Sequence, residues 1–231
     1  SGLADEIVIV DGSSQDKTRL IVKELGARVI KTSNKPNFHI NKQMAINACQ
    51  GEWILQLDAD EQLSPALKKG IEKVVNDNLD RDGFKFPRKN YFLGRWLSKG
   101  GQYPDYVTRL FRRGRGELPC ASVHEKIKIP SGKIGIIDTP LNHYPYPDFA
   151  EYLHKFNRYT ELTAQTFLEK KDFRPTVFNY IKLEFSAIGD FLNRYIRHRG
   201  FVDGFPGFVF ALFSSLHSIV AFIKYWEKCR K

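Results

Sequence analysis

The first third of the chain alternates short apolar runs with stretches of helical periodicity. Glu6-Ile7-Val8-Ile9-Val10 reads as a strand leaving through the turn Asp11-Gly12-Ser13-Ser14. A helix is predicted from near Asp16, with Leu20, Ile21 and Leu25 on its buried face and Gly26 as its stop. Residues 27–31 read as a second strand, and residues 40–49 as a second helix that ends at Gly51. The run from Trp53 to Leu57 predicts a central strand that stops at the carboxylates Asp58, Asp60 and Glu61. Ser64-Pro65 then offers an N-cap and an N1 proline, ahead of an apolar stripe of Leu67, Ile71, Val74 and Val75. Strands alternating with helices in this way predict an α/β fold, a mostly parallel sheet with helices packed on it.

From residue 83 to about residue 143 the pattern changes. Phe84-Lys85-Phe86, residues 107–111, residues 126–129 and residues 133–137 are short strand-like pieces between Gly/Pro turns, so a mixed-sheet region is expected. The last third is helical. Asp148 is placed to cap a helix carrying Phe149, Leu153, Phe156, Leu162 and Phe167, and Arg174-Pro175 opens another that runs to Gly200. Residues 204–223 carry no charged side chain and reach the length of a membrane span, although Pro206, Gly207, Ser214, Ser215, His217 and Ser218 interrupt the apolar run. Three readings stay open for this segment: a helix lying in an anionic interface, a helix buried against the two before it, and a span. The expected division is a domain over residues 1–147 and a helical extension over residues 148–231.

Charge narrows the partners. Among 231 residues, 36 basic against 26 acidic side chains give a net charge of +10, which suits an anionic partner: a membrane surface, a phosphorylated substrate or nucleic acid. The apolar tail favours lipid over nucleic acid. Cys49, Cys120 and Cys229 are too few and too scattered for a disulfide framework or a zinc site, which fits a reducing cytosolic setting.

The carboxylates carry the candidate chemistry. On a continuing strand, Asp58 and Asp60 would project to one side, where hard divalent ions such as Mg²⁺ or Mn²⁺ favour oxygen ligands. In a parallel sheet, Asp11 would open on the same edge as this pair, within reach of a nucleotide base or ribose. His124-Glu125 could form a general-base pair, and His143 is a further possible ligand or phosphate contact. An Asp-x-Asp phosphatase would want Thr or Val after the second aspartate, where this chain has Glu61. The other alternative is a non-catalytic fragment that binds a membrane or nucleic acid through charge.

Residues 3–18, from Leu3-Ala4-Asp5-Glu6 through Asp11-Gly12-Ser13-Ser14 to Thr18, followed by Gly51-Glu52-Trp53 through Asp58-Ala59-Asp60-Glu61, resemble glycosyltransferase family 2, which has the GT-A fold. Phe92-Leu93-Gly94-Arg95-Trp96, Gly101-Gln102-Tyr103-Pro104-Asp105, Arg109-Leu110-Phe111-Arg112-Arg113, Val123-His124-Glu125 and Arg199-Gly200-Phe201 resemble its branch of lipopolysaccharide-core glucosyltransferases. The resemblance implies an inverting, metal-dependent transfer from a nucleotide-sugar, such as a UDP-sugar, to a glycolipid or saccharide acceptor. It implies donor contacts at Asp11, Ser13, Asp16, Lys42 and Asp58, and Asp60 as principal ligand of Mg²⁺ or Mn²⁺, with Asp58 near the metal. It implies Glu125 as base with His124 beside it, and Trp96, Tyr103 and Arg109 on the acceptor side. Action at the inner face of the cytoplasmic membrane follows from the same likeness. The family's further strand and helix ahead of Leu3, a step of about 30 residues, have no counterpart in this sequence.

Overall fold

The computed structural model describes residues 2–35, 37–77, 79–119, 126–169 and 174–230. The chain forms two compact units, residues 1–88 with 106–141, and residues 89–105 with 142–231.

The first unit opens with β1 (Val8–Asp11), α1 (Thr18–Glu24), β2 (Arg28–Lys31) and α2 (Phe38–Ala48). β1 and β2 pair in parallel, Val8 opposite Arg28 and Asp11 opposite Lys31, as a sheet of their own. The second sheet takes β3 (Trp53–Leu55), β4 (Glu61–Gln62), β5 (Gly83–Phe92), β7 (Asp105–Arg112) and β9 (Leu141–His143) in the order β3-β7-β5-β9-β4. β6 (Arg95–Trp96) and β8 (Ile134–Ile136) add to β5. The strands β5, β7 and β9 each pass from one unit into the other.

The α/β class holds, with strand pairing more mixed than the alternation of elements implies. β3 runs antiparallel to β7, and β8 runs parallel to β5. Asp11 therefore ends a strand of one sheet, and Asp58 follows a strand of the other. The expected strand at residues 126–129 reduces to one bridge, Glu117 opposite Lys128, yet Ile127 and Ile129 are buried with Ile46, Ile54, Phe111 and Leu118. Burial alone accounts for that apolar pattern.

Two predicted helical faces fare differently. α3 (Pro65–Asn76) starts as its sequence dictates, the Ser64 hydroxyl accepting from the Leu67 amide at 3.1 Å. Leu67 and Ile71 go into the core with Phe84, Phe86, Leu110 and Leu141. On α1, by contrast, Leu20, Ile21 and Leu25 are each exposed by half or more, and no residue of that helix is buried. Among the described residues nothing covers that face, which corrects the expectation of a buried stripe.

The second unit is built on α4 (Phe149–Glu169), α5 (Val177–Leu192) and α6 (Gly204–Lys228). Asp148 accepts from the Glu151 amide at 2.8 Å and starts α4 as predicted. Tyr152, Thr160 and Ala164 are its buried residues, whereas Leu153 faces outward. Thr176 caps α5, which ends at Leu192 in a π-helical turn (Asn193–Arg197) and a 3₁₀ turn (Gly200–Asp203). A Cβ placed on Gly207 would lie 2.1 Å from the Gly200 carbonyl oxygen, so the start of α6 packs tightly on that turn.

This unit begins at residue 142 rather than 148, and it includes residues 89–105. Phe92 and Leu97 are buried with Tyr152 and Val209, and Asp203 accepts from the Ser98 hydroxyl and the Lys99 amide, each at 2.8 Å. Those contacts tie the 89–105 excursion to the helices.

Candidate functional site

β3 is only three residues long, so the chain reaches Asp58 in a turn and not on a strand. The Glu61 amide donates to the Asp58 carbonyl at 3.0 Å, and the Glu61 carboxylate accepts from the Asp58 amide at 3.0 Å. This reciprocal pair closes a tight loop with Asp60 at its crest. The shared strand face expected for Asp58 and Asp60 is thereby replaced by a turn.

Arg109 on β7 anchors the loop. It is buried, and its guanidinium donates to Asp58 and to Glu61 at 2.7 Å each, and to the Gln56 side chain. Lys42 on α2 pairs with the other oxygen of Asp58, which also accepts from Gln56 at 3.0 Å. Arg88 stands 3.5 Å from Glu61. Burial alone would push the Asp58 carboxyl upward; Arg109 and Lys42 outweigh it and hold the group at about 2. Burial likewise works against the Arg109 charge, and Asp58 with Glu61 overcomes it, so its pKa is raised.

The Asp11 turn forms the second part of the site. Asp11 is buried at the end of β1, accepts from the Ser14 amide at 3.0 Å and pairs with Arg19. The Ser14 hydroxyl first, and then Arg19, hold its carboxyl below the usual range against the effect of burial. Ser13 has a positive φ of 82° and donates its hydroxyl to the Thr32 carbonyl at 3.0 Å. Asp16 accepts from the Thr18 amide at 2.9 Å, just ahead of α1, whose cap position is Lys17. Gly12 is a close-approach position: a Cβ there would lie 2.1 Å from Asn34 Oδ1 and 3.0 Å from Asn41 Nδ2. Asn41 Oδ1 is buried without a hydrogen-bond partner among the described residues. Because Asn41 and Lys42 are consecutive on α2, that helix carries one side chain to the Asp11 turn and the next to Asp58.

The structure thus brings Lys42, Asp58 and Arg109 together. Sequence reasoning placed Arg109 on the acceptor side; here its guanidinium is an internal counter-ion. It also missed Gln56, Asn34 and Asn41 as parts of the site, and the bracing role of Glu61. Trp96 and Tyr103 belong to the other unit, with ring centroids 5.1 Å apart at 88°, and Lys89 lies 4.5 Å over the Trp96 ring. His143 is also in that unit, its Nδ1 2.7 Å from the Asn90 side-chain oxygen. His124 and Glu125 lie outside the described residues.

Among the described residues, no group of three His, Cys, Asp or Glu is placed to hold a metal. Both oxygens of Asp58 are engaged by Lys42, Gln56 and Arg109, so Asp58 does not fit as a direct ligand in this arrangement. Asp60 stands in the same loop, partly buried.

Residues 1–127 match the family described as Glycosyl transferase family 2. Over 229 residues the chain is 28% identical to the lipopolysaccharide core biosynthesis glycosyltransferase LpsC of Rhizobium meliloti (strain 1021), covering 96% of this chain and 83% of that protein. An uncharacterized glycosyltransferase of Rickettsia bellii (strain RML369-C) is 28% identical over 220 residues, 90% of this chain and 72% of the relative. The solved structure of S. aureus TarS 1-349 aligns at 14% identity with a TM-score of 0.44, over 97% of this chain and 82% of that one. With more than half of its length matched by the family, this chain belongs to glycosyltransferase family 2, an enzyme family with the GT-A fold.

Proposed function

We propose that the chain transfers a sugar, glucose by its family branch, from a UDP-sugar to a glycolipid or polysaccharide acceptor such as lipopolysaccharide core, with inversion at the anomeric carbon. The reaction takes place at the inner face of the cytoplasmic membrane. The observation that carries this reading is the loop from Asp58 to Glu61, pinned by Arg109 and Lys42, with the Asp58 carboxyl held at about 2, within the family-matched segment. The acceptor assignment is supported by the likeness to LpsC, a lipopolysaccharide core biosynthesis glycosyltransferase.

In this reading Asp11, Ser13 and Asp16 shape the loop that receives the base and ribose. Gly12 leaves the backbone open there, and Asn41 offers a buried acceptor beside it. Lys42 meets the donor's negative charge, and Asp58 orients Lys42. A divalent cation at Asp60, Mg²⁺ or Mn²⁺, would supply Lewis-acid neutralisation of the diphosphate. Glu125, with His124 beside it, takes the proton from the acceptor hydroxyl that attacks the sugar. Trp96 and Tyr103 present ring faces and edges to the acceptor.

The test incubates the chain with labelled UDP-glucose and a water-soluble core oligosaccharide, with chelator and with added Mg²⁺ or Mn²⁺. UDP binding is followed by calorimetry in parallel. Asp60→Ala should abolish transfer and remove the metal dependence of UDP binding. Transfer that survives both chelation and Asp60→Ala would refute the metal assignment. Product of unchanged anomeric configuration would refute inversion.

A further inference from the structure

The tail predicted from residues 204–223 to meet a membrane is partly packed within its own unit, a third of its most apolar window being buried. α6 meets α4 through Phe149–Phe213, Phe156–Phe213 and Phe167–Tyr225 ring contacts, and α5 through Tyr180–Phe222 and Phe191–Phe208. Lys224 donates to Asn157 and Thr160 on α4, and Lys228 pairs with Glu161 at 2.6 Å. Residues 200–228 are long and apolar enough to cross a bilayer, and α4 and α5 pack against part of that helix.

Among the described residues of this unit, the broadest exposed apolar surface lies on α5. Phe178, Ile181, Phe185, Ile188, Leu192 and Ile196 recur every three or four residues, so they form one stripe. All six are exposed, Phe178 by 66% and Phe185 by 72%. At 1.5 Å per residue the stripe is about 27 Å long. Phe201, Val202 and Phe205 (72% exposed) follow directly after it. At the other end, Val177 and Tyr180 continue into a cleft of about 370 Å³ shared with Ile223 and Trp226 of α6. Large contiguous apolar patches are uncommon on soluble monomers and mark a partner.

Charge identifies the partner. Residues 177–205 contain three acids, Glu184, Asp190 and Asp203. Asp190 is neutralised by Arg194 at 2.8 Å, Asp203 is buried against Ser98 and Lys99, and Glu184 bonds Tyr180. Lys182, Arg197 and Arg199 remain exposed along the same segment, and Arg95 stands at its end, donating to the Val202 carbonyl at 3.2 Å. A second copy of this chain packed on the same face would set its own Lys182, Arg197 and Arg199 against that basic rim. An anionic bilayer satisfies both the apolar stripe and its basic border.

We infer that the exposed face of α5, with the 3₁₀ turn after it, is the surface on which the enzyme lies in an anionic lipid interface, α6 serving as its internal support. This deepens the membrane-side reading above and is tested apart from sugar transfer. Vesicles of phosphatidylcholine alone, or mixed with phosphatidylglycerol, are floated with the full chain and with Phe185→Glu/Ile188→Glu. The wild type should float with anionic vesicles and far less with neutral ones. The double variant should partition at least about tenfold more weakly, with unchanged transfer to the water-soluble oligosaccharide. Recovery of the wild type wholly in the soluble fraction with anionic vesicles would overturn the proposal. So would equal flotation of the double variant, or light scattering showing a dimer that the same substitutions dissociate. Loss of transfer without loss of flotation would strike the catalytic reading and leave this one standing. If the double variant unfolds by circular dichroism, Phe178→Ser, at a more terminal exposed position, replaces it with the same expected loss.

Discussion

The candidate site in the first unit and the α5 face in the second spend their polar and apolar groups in opposite ways. The first buries charge: Asp11, Glu61 and Arg109 are all inside, each with a charged partner a few ångströms away. The second keeps an apolar surface outside, with Phe178 exposed by 66% and Phe185 and Phe205 by 72% each. Each choice costs stability unless something compensates. In the first unit the compensation is built in, since every buried charge at the site meets its counter-ion. Among the described residues nothing covers the α5 face, so its compensation has to come from elsewhere. A buried charge cluster points to chemistry performed by the protein, and an uncovered apolar face points to an environment the protein works in.

The sharpest way to break this contrast is to remove the built-in compensation. Arg109→Ala leaves Asp58 and Glu61 without their shared cation, and breaking a buried pair in this way costs about 3 kcal/mol. Urea denaturation should show that loss, and Arg109→Lys should restore only part of it, because an ammonium cannot reproduce the guanidinium fork that reaches Gln56, Asp58 and Glu61. A variant as stable as the wild type would mean the cluster relaxes into solvent. The second unit has one comparable buried acid, Asp203, which holds Ser98 and Lys99. Asp203→Ala should cost about 2 kcal/mol and loosen residues 89–105, read as faster amide exchange there than on α3.

How much of this was legible in the sequence depends on how local the cause is. Ser64-Pro65 and Asp148 start their helices as predicted, since a cap and its amide lie three residues apart. The stripes on α3 and α1 look alike in sequence, yet only α3 is covered. Amphipathic spacing says which face seeks burial and nothing about what lies opposite it. The same gap hid α5, whose apolar positions read as one more packed helix while the uncharged run after it drew attention as the lipid contact. The Asp58-Ala59-Asp60-Glu61 cluster was visible as a site. That Glu61 is its buried brace, and that Arg109 holds it from 48 residues away, was not, because no spacing rule connects separate strands.

A smaller effect tests the electrostatics of the cluster directly. The folded-state pKa of Asp58 lies at about 2, below its ordinary value of 3.8. A carboxyl depressed on folding stabilises the protein above its unfolded pKa, and that contribution is lost as pH falls through the folded value. The wild type should therefore lose about 2 kcal/mol between pH 4 and pH 2 from this group, measured by urea midpoints. Asp58→Asn should flatten that part of the profile. An unaltered slope in the variant would mean that Lys42 and Arg109 do not hold the carboxylate in solution.

The smallest expected effect is on the α5 face, and its smallness is the point. A side chain that is covered by nothing loses nothing when it becomes polar, so Phe185→Glu/Ile188→Glu should change the urea midpoint by no more than about 0.5 kcal/mol equivalent. Leu67→Ala, on the covered stripe of α3, should cost about 3 kcal/mol by opening a cavity in a fully buried position. If the α5 pair proved as costly as Leu67, the face would have to be buried in the isolated protein, by self-association or by a neighbouring segment. Stability would then depend on protein concentration in the first case and be independent of it in the second. A cost near zero, independent of concentration, is the behaviour of a surface whose partner is absent from dilute buffer.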